Sequence, residues 1–173
     1  MTQGTVRATI QTFLKAKNIA NLNTLNVAPV LNLPASAWCP NGASYGAAGF
    51  VWLMHIEEQN VSAGGAPSIV PNGWRRVDYH AFVIFDWRVL KESTTDDSWI
   101  TPLDQMCTDI SVALRSDPTL GKSVFTSANT FPLETPAITT VIQEPKQIEG
   151  TQSIQVHASI DFPVVELVPP GGP

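Results

Sequence analysis

The sequence predicts an α+β domain: a mostly antiparallel sheet of about four to five strands with two helices packed on one face. Two segments carry apolar residues at helical spacing, two others carry them at every second position, and helix and strands follow one another in blocks with no repeat. A chain of 173 residues is one domain's worth of material, long enough to bury roughly 70% of its unfolded surface without covalent staples.

The first helix is predicted over residues 5–17, where Val6, Ile10, Phe13 and Leu14 fall on one face and Arg7, Gln11, Thr12 and Lys15 on the other. Asn18 is placed to close it, and residues 21–28 read as a loop entering a short extended segment. Residues 31–46 contain Pro34, Pro40, Gly42 and Gly46 and are expected to wander over the surface. A strand then begins near Gly49. It reads Phe-Val-Trp-Leu-Met-His-Ile over residues 50–56, apolar on both faces.

After a Gly- and Pro-rich loop over residues 60–73, the clearest strand spans residues 76–89. Val77, Tyr79, Ala81, Val83, Phe85, Trp87 and Val89 point one way; the other face has Asp78, His80, Asp86 and Arg88 at its ends and Phe82 and Ile84 in its middle. A polar loop leads to a second helix, with Thr101 expected as N-cap, Pro102 at the first helical position and Asp104 three residues after the cap. Leu103, Met106, Cys107, Ile110 and Leu114 make its stripe, and Asp117-Pro118 stops it. Strands over residues 137–143 and 153–162 complete a single domain spanning residues 1–162. The Pro/Gly-rich arm 163–173 is expected to join neither helix nor ladder.

Such a sheet carries more apolar surface than two helices cover. A helix is ~10 Å across and strands lie ~4.8 Å apart, so two helices hide about four strands on one face only. Phe82 and Ile84, with Trp52 and its neighbours, are left for a neighbouring chain that covers this face or extends the sheet edge. The alternative is that the loops 31–46 and 60–73 fold back over it. Charged residues make up only 14% of the chain, well under the usual ~25%, which agrees with a surface that is partly covered.

A net charge of -5, with no basic run beyond Arg75-Arg76, argues against a phosphate-gripping surface. Cys39 and Cys107 are too few for a disulfide framework and read as reduced thiols in a cytosolic product. No stretch matches a signal peptide or a membrane span.

Gly42-Ala43-Ser44-Tyr45-Gly46 matches the G-x-S-x-G nucleophile elbow. An elbow needs a strand before the serine and a helix after it, whereas here a Pro-rich loop precedes and a strand follows. His55, His80 and His157 all fall in predicted strands with no evident carboxylate to orient them, so a serine hydrolase using Ser44 is the distant alternative. Gly121-Lys122-Ser123 resembles the end of a phosphate-binding loop, but position 116 is Ser where a glycine is required. The histidine spacing fits no metal motif, and no cofactor or catalytic residue is assigned. Five tryptophans remain. Trp52 and Trp87 belong to strands, while Trp38, Trp74 and Trp99 stand at loop ends, where aromatic anchors of interfaces and plugs of the core are both found. Trp38, Trp52, Trp74, Arg75, Arg76, Phe82, Ile84, Trp99, Pro169 and Pro170 are the candidate interface residues.

The opening Val6-Arg7-Ala8-Thr9-Ile10-Gln11-Thr12-Phe13-Leu14, followed by Leu22-Asn23-Thr24-Leu25, resembles tail terminator proteins of long-tailed phages infecting actinobacteria. So does Gly73-Trp74-Arg75-Arg76-Val77-Asp78-Tyr79, which leads into the long alternating strand. The resemblance implies a homo-oligomeric, six-membered ring of the virion, assembled in the host cytoplasm. That ring caps the tail tube, stops its polymerisation and offers the head-attachment surface to a neck or connector protein, with DNA passing through the lumen without specific binding. It implies no catalytic residues, no cofactor and no membrane. The alternative within the same class is a neck, head-closure or tail-tube subunit.

Overall fold

The computed structural model describes residues 3–30, 32–60, 75–90, 97–117, 119–120, 124–125, 137–151 and 153–168. Its elements are helices α1 (Gln3–Ala16) and α2 (Ile100–Ser116) and strands β1 (Leu22–Asn26), β2 (Tyr45–Asn60), β3 (Arg75–Val89), β4 (Val124–Phe125), β5 (Thr139–Ile142), β6 (Lys146–Gln147) and β7 (Ile154–Val168). All seven strands form one sheet. β1, β2, β3 and β7 are successive neighbours, and β4, β5 and β6 all pair with β7, so the three short pieces together make a broken fifth rank.

The architecture is α+β, as the patterning implies, but the sheet is mixed. β1 runs parallel to β2, and all the other ladders are antiparallel. The expected loop at residues 21–28 thus supplies an edge strand. Its Leu-Asn-Thr-Leu-Asn sequence has no two-residue apolar period: Leu25 is buried and Leu22 packs against the core, three positions apart, with a register shift between them.

The chain beyond Phe162 requires a correction. β7 continues through Pro163 to Val168, paired along its whole length with β3, and Val164, Val165 and Val168 are buried. Proline is tolerated because of where it stands. The Gln143 N–H donates to the His157 carbonyl, so by strand alternation residues 157, 159, 161 and 163 aim their backbone groups at the fifth rank. Among the described residues no strand pairs with Pro163 on that side, since β5 pairs with residues 158–161 and β4 with 165–166. The missing N–H costs no ladder bond among them.

Both helices pack on one face of the sheet. Val6, Ile10 and Leu14 of α1 and Leu103, Met106, Cys107, Ile110 and Leu114 of α2 join Val77, Tyr79, Ala81, Val83, Phe85, Trp87 and Val89 of β3 and Val156, Ala158, Ile160 and Phe162 of β7 in a single core. α1 ends as expected, with Asn18 in the left-handed region at φ 49°. α2 begins earlier than its cap signal indicated. A 3₁₀ turn over Asp97–Trp99 feeds straight into Ile100, which places Thr101 inside the first turn, and the residue before the helix makes no side-chain capping bond. Pro102 is still tolerated, since first-turn N–H groups lack intrahelical acceptors.

At the far end of this covered face the Tyr79 hydroxyl donates to Glu166 Oε2 at 3.0 Å. Glu166 is fully buried and its Oε1 has no hydrogen-bond partner among the described residues. Burial first, and then the Glu166 carboxyl, hold the Tyr79 phenol well above its ordinary pKa. The Cys107 thiol is likewise pushed up to about 11, by burial and then by Asp104. Cys39 is raised by burial against the opposing pull of Arg88, and both cysteines are free.

Candidate assembly interface

Register fixes what lies on the face away from the helices. Trp52 pairs with Phe82, Phe50 with Ile84 and Met54 with His80 across β2 and β3. Across β3 and β7, Phe82 meets Asp161, Ile84 meets Ser159 and Asp86 meets His157, and Val141 of β5 then meets Ser159. The result is an apolar patch on β2 and β3 that gives way to His157, Ser159 and Asp161 on β7, with Val141 of β5 beyond them.

Part of this face is covered from within the chain. The segment before β2, with 3₁₀ turns at Ala35–Ala37 and Pro40–Gly42, lays Trp38 and Cys39 against Ala48. The Arg88 guanidinium lies 3.6 Å from the Trp38 ring centroid. Gly46 makes the fit possible, since a Cβ there would collide with the Trp38 carbonyl oxygen and the Asn23 amide. Trp38 is therefore a plug of the fold and not a surface anchor. Trp99 is also interior, packed in the main core.

Away from Trp38 the exposure follows a gradient. On the central strand Phe82 and Ile84 are half-buried. On β2, Trp52, Met54 and Ile56 are 45%, 49% and 58% exposed; on β5, Val141 is 51% exposed on this face, while Ile142, opposite Ala158, is 43% exposed on the helix face beside α2. A residue in the middle of a sheet is shielded by side chains on both flanking strands, whereas one on an edge is shielded on a single side. Among the described residues, five of the nine large hydrophobic side chains that stand exposed belong to these two edge strands.

Of the other predicted interface residues, Arg75 pairs with Glu58 at 2.8 Å and Arg76 with Asp78 at 2.8 Å, so both are engaged within the chain. Trp74, Pro169 and Pro170 lie outside the described residues, as does the Gly121-Lys122-Ser123 segment.

Two histidines do have carboxylate partners, contrary to the sequence reading. His157 Nδ1 lies 2.8 Å from Asp86 Oδ1, and His80 Nε2 lies 3.3 Å from Asp161 Oδ2. Asp86 and His157 are direct cross-strand partners of β3 and β7 and His80 and Asp161 are diagonal neighbours on the same two strands; the members of each pair are 71 and 81 positions apart, and only the register brings them together. They do not complete a site with Ser44. Ser44 is exposed at the mouth of β2, its carbonyl accepting from the Leu90 N–H, four residues along β3 from Asp86. At ~3.4 Å per residue that is roughly 13 Å, beyond hydrogen-bond reach. Gly42, at φ 76°, serves a turn, and Gly46 serves the Trp38 contact, so each glycine of the apparent motif has a conformational reason. Among the described residues no cluster of three or more His, Cys, Asp or Glu side chains is arranged to hold a metal ion, and no helix is long and apolar enough to cross a membrane. No family model matches the chain, and no curated protein matches it.

Proposed function

We propose that the chain is a non-enzymatic virion subunit, a tail terminator that forms a ring capping the tail tube, stops its growth and presents the surface on which the head docks. The carrying observation is the exposed apolar side chains on the two edge strands, Trp52, Met54 and Ile56 on one and Val141 and Ile142 on the other. Exposed apolar surface concentrated in this way marks a protein interface in a chain with so few charges. The net charge of -5 suits a ring through which DNA passes without being gripped. The resemblance of the α1 segment and of the approach to β3 supplies the position in the particle.

Electron microscopy of particles assembled without this chain tests the reading. A terminator's loss gives overlong tubes. Tails of normal length that fail to join heads would instead place the chain in the neck.

A further inference from the structure

Each of the two edges carries unpaired backbone as well as exposed side chains. β1 pairs with β2 only as far as Phe50, so from Val51 to Asn60 no strand among the described residues lies on that side of β2. The outer side of β5 and β6, residues 139–147, is equally unpaired among them. The two free stretches are of similar length. Long unprotected edges are a liability that folded proteins blunt or use. β2 is only partly blunted, by the irregularity between His55 and Glu57 and by the acidic pair Glu57 and Glu58.

Strand direction says how they fit. β2 is antiparallel to β3, β3 to β7 and β7 to β5, so β2 and β5 point in opposite directions. A second copy rotated about an axis running along the strands keeps every strand direction. It brings its β5–β6 edge beside the first copy's β2 as an antiparallel neighbour. A two-fold β2–β2 contact would satisfy one edge and leave Val141 and Ile142 bare. The heterologous contact covers both edges with one repeated junction, and such contacts form rings where the rotation between copies closes.

We infer that the free half of β2, residues 51–60, accepts the β5–β6 edge of the next copy, so that one sheet continues from subunit to subunit around the ring. This rests on the ring reading above and specifies its junction. Backbone pairing supplies the attachment, and Trp52, Met54, Ile56, Val141 and Ile142 gain the flanking strand that each lacks.

Alternation identifies the outward backbone groups. Because Gln143 donates to His157, Thr140 and Ile142 face outward on β5; carried across the β7–β3 and β3–β2 ladders, the same alternation turns Val51, Leu53 and His55 outward on β2. His55→Pro and Ile142→Pro each delete an outward donor while sparing the internal ladder.

Sedimentation velocity is run on wild type, on each variant, and on their equimolar mixture. Each variant alone is expected to sediment as a monomer, with association at least tenfold weaker. The mixture should form a dimer through its one intact junction. Dimers formed by Ile142→Pro alone would overturn the inference in favour of a two-fold β2–β2 contact. Rings formed by both variants as readily as by wild type would overturn it while leaving the ring reading standing. A monomeric wild type would overturn both. Ile56→Lys and Val141→Lys, which alter only exposed side chains, carry the same test if a proline variant loses its circular-dichroism spectrum.

Discussion

Removing the Tyr79 hydroxyl should cost the fold about 2 kcal/mol, and removing its partner as well should return most of that loss. Glu166 is fully buried, its Oε1 is already without a partner among the described residues, and the 3.0 Å bond from Tyr79 satisfies the other oxygen. Stranding a buried acceptor costs roughly 1–3 kcal/mol, and the existing orphan gives Glu166 no second bond to fall back on. Replacing both partners with apolar groups of similar shape is close to neutral. Tyr79→Phe, Glu166→Leu and the double variant therefore form a cycle read by urea unfolding at matched protein concentration. With a slope of about 2 kcal/mol per molar urea, the single change should lower the midpoint by about 1 M. The double variant should recover at least half of that. A double variant no more stable than Tyr79→Phe would instead put the cost in packing and not in a stranded polar atom.

Gly46→Ala should destabilise the fold by more than about 2 kcal/mol, since both atoms in its way belong to the packed Trp38–Asn23 contact; thermal unfolding checks it, and an unchanged midpoint would contradict the close approach. Stability should fall between pH 9 and about 11 as the Cys107 thiol ionises in the unfolded chain before it does in the fold. The folded value is raised, so its contribution is complete below the unfolded value and is lost above it, and Cys107→Ala should flatten this stretch of the stability–pH curve. Asp86→Asn, which breaks the partly exposed pair with His157, should change unfolding free energy by less than about 1 kcal/mol. Trp52→Lys should leave the chain's circular dichroism unchanged and weaken self-association, measured by sedimentation.

The helices and the central strand were legible because each has one buried face and a clean period. Val6, Ile10 and Leu14 of α1, and the seven alternate residues of β3 from Val77 to Val89, lie where the pattern puts them. Features that depend on which strand lies beside which were not legible. β1 is short, mostly polar and parallel, and its place is fixed by contact with β2 and not by its own composition. Pro163 argued for the end of the fold, yet it fits within β7 because no strand among the described residues pairs with it on the outer side. His80 and His157 gained carboxylate partners through the β3–β7 register, which no local signal encodes. The exposed apolar surface shows the same division. The surplus of apolar sheet surface was readable from residues 50–56 and 76–89. Its concentration on the two edges, and the retirement of Trp38 and Trp99 to the interior, needed the assembled sheet.

On the ring reading a free copy of this chain is incomplete and others finish it, and mass photometry of the purified protein tests this. A closed assembly of about six times the 18.7 kDa of one chain, seen by electron microscopy as a ring with a central hole, is the result expected. A species that stays at the mass of one chain across the micromolar range, with Trp52 and Val141 still open to solvent, would contradict it.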